Sequence, residues 1–139
     1  NLSDFEQVAR ERFAIVGWNN SRFDNPLIVA NGIDLDGIRS IDFAKIFWKA
    51  CGINTDNGDH PKNLGLDATC QANGIRGKSG VAKLAPQAWQ DGRIGQVIDY
   101  CCGDVRCLVQ LINEALMSGG LIDPRNSQFV PLELNRVFE

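Results

Sequence analysis

This chain of 139 residues predicts an α/β fold, and three observations carry that expectation. Short β-branched runs closed by glycine or asparagine alternate with apolar residues at helical spacing. The longest helical pattern comes late, after one β-α-β-α passage. A hydrophobic content of 44% supplies enough apolar side chain for a single core, so one domain is expected over residues 1–139.

The first element follows from Ser3-Asp4-Phe5-Glu6, a capping-box pattern with Ser3 as N-cap, after which Phe5, Val8, Ala9 and Phe13 keep helical spacing. A helix over about residues 4–12 is expected. Phe13 to Trp18 is an apolar, β-branched run ended by Gly17 and two asparagines, and reads as a buried strand. Pro26 opens a brief helix through Leu27, Ile28 and Ala30, which Asn31-Gly32 stops. Ile38 to Phe43 reads as a second strand leading into a helix over Ala44 to Cys51, ended by Gly52.

A polar loop over Asn54 to Asn63 precedes a helix from Leu64 to Ala72, closed by Asn73-Gly74. Gly77-Lys78-Ser79-Gly80 lacks the upstream glycine of a phosphate-binding loop and follows a helix, so it is not read as one. Ala85 to Trp89 reads as a short helix or turn with Pro86 near its start. From Gly95 to about Met117 the residues Val97, Ile98, Cys101, Val105, Leu108, Leu111, Ile112, Ala115 and Leu116 stay near a 3.6-residue period, and Gly119-Gly120 ends the helix. The tail from Leu121 is expected to be an ordered extension over the body.

Charge and cysteine usage narrow the function classes. Fourteen basic against 17 acidic residues leave a net charge of −3, so no global field draws the chain to nucleic acid or to an anionic membrane, and any polynucleotide contact must be local. Cysteines at 51, 70, 101, 102 and 107 form an odd set with no CxxC pair; free thiols and a reducing cytoplasm are expected. No apolar run reaches the ~18–20 residues of a membrane span. The lone His60 lies in a polar loop and reads as a surface residue, which leaves no triad built on histidine.

Two segments combine carboxylates with aromatic and amide side chains: Gly17-Trp18-Asn19-Asn20-Ser21-Arg22-Phe23-Asp24 and Tyr100-Cys101-Cys102-Gly103-Asp104. Tyr100 and Asp104 stand four apart and share a helix face, where a phenol could orient a water beside a metal-bound carboxylate. The plainer reading is a packed tyrosine with its hydroxyl exposed and a solvated aspartate. Asp24 follows a strand end through a short loop, where α/β folds display functional side chains, and its plainer role is N-cap of the helix near Pro26. Asp42 is a further candidate carboxylate, or a structural strand-end residue.

Read together, the two segments resemble the second and third motifs of the DEDD family of 3′ to 5′ exonucleases, in its tyrosine subclass. Gly17 to Asp24 is similar to the G-aromatic-N-x-x-x-F-D motif, and Tyr100 to Asp104 to the YxxxD motif; Asn63 to Asp67 and Gly77 to Gly80 resemble the helix and glycine-lysine loop between them. The resemblance spans about residues 4–117. It implies a ribonuclease H-like three-layer fold, Asp24 and Asp104 as ligands of Mg²⁺ or Mn²⁺, Tyr100 orienting the attacking water, and Asn19 and Phe23 on the terminal nucleotide. The implied substrates are single-stranded DNA or RNA 3′ ends.

The family's first motif, DxE on the first strand, has no counterpart here. Asp4-Phe5-Glu6 reads as a helix start, and Asp34-Leu35-Asp36 falls after the second motif. The N-terminal strands are therefore expected to be lacking, their place taken by a preceding segment, a partner chain or a second copy. The competing expectation is a non-catalytic module that keeps the fold to bind nucleic acid or protein.

Overall fold

The computed structural model describes residues 2–55, 61–76 and 84–138. The chain is mixed α/β and divides into two compact units, Asn1–Gly58 and Asp59–Glu139. His60 and Gly77 to Gly80 lie outside the described residues.

The first unit runs α1 (Leu2–Arg10), β1 (Ile15–Gly17), α2 (Asp24–Ala30), β2 (Ser40–Asp42) and α3 (Phe43–Ala50). β1 and β2 pair in parallel, with Ile15 opposite Ser40, Val16 opposite Ile41 and Gly17 opposite Asp42. Parallel neighbours need a crossover, and α2 lies within it. The pair is short, but α3 packs beside β1 and brings a dense apolar face. Phe43, Ala44, Phe47 and Trp48 are fully or almost fully buried. Trp18, just past β1, sets its ring 6.4 Å from Phe43, 6.3 Å from Phe47 and 6.3 Å from Trp48, the last edge-on. Tilted and edge-on rings at such separations add attraction beyond simple burial. The Arg10 guanidinium ties α1 to the loop before β2, donating to the Asp34 and Asp36 carbonyls at 3.1 and 3.2 Å.

Two expectations for this unit change. α1 begins at Leu2, so Ser3 lies inside the first turn and not at the N-cap position. α2 begins at Asp24, which makes Pro26 its third residue; the first turn tolerates proline because its N–H groups have no partner within the helix.

The second unit runs α4 (Leu66–Ala72), α5 (Ala85–Gln90), α6 (Ile94–Ser118), β3 (Gly120–Asp123) and β4 (Gln128–Pro131). α6 closes at Gly119, whose φ of +76° is the left-handed cap that glycine adopts without strain. Its buried residues are Cys107, Leu111 and Ala115, while Ile98, Val105 and Leu116 stay 56%, 61% and 50% exposed. The apolar period along α6 is therefore wider than the side it buries.

The tail is more regular than expected. β3 and β4 form an antiparallel hairpin in which Asp123, 1% exposed, accepts from its neighbour Arg125 at 2.6 Å across the turn. Asn73, after α4, serves β3 as a strand would: its amide donates to the Ile122 carbonyl at 3.1 Å and its oxygen accepts from the Ile122 N–H at 2.8 Å. This satisfies both polar groups of one residue on an otherwise open edge. All five cysteines are free thiols, and among the described residues no helix is long and apolar enough to cross a membrane.

Candidate functional site

The parallel pair determines where the first motif sits. β1 ends at Gly17 beside the end of β2 at Asp42, so the segment from Trp18 to Asp24 emerges at the carboxyl ends of both strands, where open parallel sheets hold their ligands. The chain then doubles back tightly. A Cβ on Gly17 would lie 2.5 Å from Asn20 Cβ and 2.6 Å from its Cγ, so only glycine admits this turn. Asn19 takes φ +60°, a left-handed conformation that asparagine tolerates better than most residues.

Asp42 organises this loop. Its Oδ1 accepts from the Asn19 N–H at 2.9 Å and from the Lys45 N–H at 3.3 Å; its Oδ2 accepts from the Ser21 N–H at 3.2 Å and the Ser21 hydroxyl at 2.6 Å. It is also the N-cap of α3. With both oxygens engaged by the chain, Asp42 is built as a structural acceptor and poorly suited to ligate a cation.

Asp24 stands differently. The N-cap of α2 is Phe23 and no side chain caps that helix, so the capping role expected of Asp24 is not the one it takes. Partial burial pushes the Asp24 carboxyl above its ordinary pKa of 3.8, and the Asp42 carboxylate adds to the rise against the opposing pull of a backbone hydrogen bond. An exposed carboxylate near a second negative charge is one that a hard divalent cation would stabilise. Phe23 beside it is 65% exposed, an aromatic face turned to solvent. The side-chain oxygens of Asn19 and Asn20 are buried without a hydrogen-bond partner among the described residues. Such an acceptor costs about 1–3 kcal/mol until a donor reaches it.

The second motif lies in the other unit, on α6. Asp104 is followed at helical intervals by Cys107, Leu111 and Ala115, the buried residues of that helix, and Tyr100 precedes it by one turn. Both Tyr100 and Asp104 are half-buried. Asp104 thus lies on the inward side of α6 and not on its solvated one, an unusual place for a carboxylate without a task. Asn19, Phe23 and Asp24 belong to one unit and Tyr100 and Asp104 to the other. Among the described residues, no group of three or more His, Cys, Asp and Glu side chains could hold a metal ion.

Sequence reading missed Ser40. Its hydroxyl accepts from the Asn20 amide at 3.1 Å and from the Asn25 amide at 2.9 Å. No local signal marks a strand-opening serine as the partner of a loop some twenty residues earlier. Comparisons with protein-family models, curated proteins and solved structures find no match to the chain.

Proposed function

We propose that this chain is a metal-dependent 3′ to 5′ exonuclease domain of the DEDD kind, with a ribonuclease H-like arrangement, acting on single-stranded DNA or RNA ends. The observation that carries the reading is the state of Asp24. It follows the carboxyl end of a parallel strand pair, is not the N-cap of α2, has a carboxyl pKa raised above the ordinary value, and is preceded in the chain by the exposed ring of Phe23. The place of Asp104 on the inward side of α6, one turn after Tyr100, supports it further.

In this reading Asp24 and Asp104 hold Mg²⁺ or Mn²⁺, which would supply activation of the attacking water and stabilisation of the leaving 3′ oxygen. The Tyr100 hydroxyl orients that water. Phe23 stacks on the terminal base, and Asn19 contacts the terminal nucleotide. Asp42, both of whose oxygens are occupied, holds the loop and stays out of the metal shell.

The test is digestion of a 5′-labelled single-stranded oligonucleotide in Mg²⁺ or Mn²⁺ by the wild type, Asp24→Asn and Asp104→Asn. A descending ladder from the wild type, lost in both variants and in chelator, is expected. A metal-dependent ladder that survives either substitution would refute the assignment of that carboxylate. Retained oligonucleotide binding without any ladder would favour the non-catalytic binding module.

A further inference from the structure

The reading of Asp24 as a metal-binding carboxylate leaves open what holds it in place, since α2 is short and its start carries no side-chain cap. Two residues bracket it, Asn20 four positions before and Asn25 one after. Both side-chain amides converge on one oxygen, the Ser40 hydroxyl, at 3.1 and 2.9 Å. The bracket is closed through the backbone as well, because the Asn25 N–H donates to the Asn20 carbonyl at 2.8 Å.

Asn20 is 4% exposed and wedged against Gly17, so its carboxamide has nowhere else to turn. Its oxygen lacks a partner among the described residues, and its NH₂ donates to the Ser40 hydroxyl. A hydroxyl both donates and accepts, so the Asn20–Ser40 pair persists whichever way round that amide lies. Ser40 itself opens β2 and is held in register opposite Ile15. The strand pair is thereby connected, through one oxygen, to both ends of the segment that carries Asp24.

We propose that Ser40 is a positioning residue for Asp24: its hydroxyl clamps Asn20 and Asn25 and so fixes the start of α2 against the strand pair. The proposal rests on the exonuclease reading for its effect on rate, though not for the clamp itself. A reactive group displaced by about 1 Å can lose on the order of a hundredfold in rate, which gives the clamp its functional weight. Alanine at position 40 removes the acceptor; threonine keeps it.

The experiment compares wild type, Ser40→Ala and Ser40→Thr in two measurements. The first is amide hydrogen exchange. Ser40→Ala should lose protection at the Asn25 N–H while α3 keeps its own, and Ser40→Thr should restore it. Unchanged Asn25 protection in Ser40→Ala, or an equal loss throughout the unit, overturns the clamp. The second is 3′-end hydrolysis in Mn²⁺, where Ser40→Ala should lower kcat about ten- to a hundredfold with KM unchanged and Ser40→Thr should recover it. A kcat equal to wild type in a folded Ser40→Ala overturns the positioning role. A wild type that hydrolyses nothing overturns the exonuclease reading, and the exchange measurement then decides the clamp alone.

Discussion

Removing the Asp42 carboxylate should separate two jobs that one side chain performs. As N-cap of α3 it accepts from the Lys45 N–H at 3.3 Å, and such a cap is worth about 1 kcal/mol. As anchor of the motif loop it accepts three more hydrogen bonds, from Asn19 and from both donors of Ser21, at 2.9, 3.2 and 2.6 Å. Bonds to a charged acceptor contribute roughly 1.5–3 kcal/mol each. The loop is only partly buried and its freed donors can reach water, so the three together are counted as one such bond, about 2 kcal/mol. Asp42→Ala should therefore cost about 3 kcal/mol. Asp42→Asn keeps a good cap, because asparagine caps helices as well as aspartate does, but presents an NH₂ to one of the loop donors and should cost about 2 kcal/mol. Urea unfolding followed by tryptophan fluorescence is the assay, since Trp18 and Trp48 both belong to the affected core. An Asp42→Asn protein within about 0.5 kcal/mol of wild type would refute the claim that this carboxylate organises the loop.

Further outcomes follow from the same geometry. Because the folded pKa of Asp24 is raised, its contribution to stability is fully present below pH 3.8 and declines as pH rises through the folded value; urea midpoints should show Asp24→Asn more stable than wild type at neutral pH, with the gap closing in acid. A difference that does not vary with pH would show that burial does not strain this carboxyl. Gly17→Ala drives a methyl into Asn20 and should lose about 1–3 kcal/mol by thermal or urea unfolding. Phe23→Ala, at an exposed ring, should leave stability within about 0.5 kcal/mol of wild type, yet weaken single-stranded oligonucleotide binding by about 1–3 kcal/mol in a fluorescence anisotropy titration. On α6, Leu111→Ala should cost about 2–5 kcal/mol, whereas Val105→Ala, at a residue mostly in solvent, should change stability little; equal losses would contradict the assignment of the buried side.

Much of the secondary structure was legible in the sequence because its causes are local. The period and the closing Gly119 place α6 within a residue of its observed ends, and Gly52 and Asn73-Gly74 mark the ends of α3 and α4 for the same reason. The β-branched run before Gly17 and the run from Ile38 to Phe43 mark the two strands, which the structure pairs in parallel, since such side chains suit a pleated, half-buried surface. Asp24 is a candidate from its place after a strand end, and Asn19 and Phe23 are candidates through the motif resemblance; all three lie in the segment that follows β1.

What the sequence could not decide is whatever depends on a partner distant along the chain. The sequence predicts only an ordered extension where the β3–β4 hairpin stands, because its strands are short and their edge is completed by Asn73, some fifty residues earlier. α6 carries apolar residues on its exposed as well as its buried side, so periodicity alone does not choose between the Leu111 and Val105 sides; the packing of α4, α5 and β3 against it does. Asp24 looks like a cap until the helix is seen to begin on it, and Asp42 looks like a spare carboxylate until the Asn19–Ser21 loop closes over both its oxygens. Ser40 carries no local mark at all. Local propensity acts within one turn of chain, while a hydrogen-bonding hub is defined by which segments meet in space, and that meeting belongs to the tertiary structure alone.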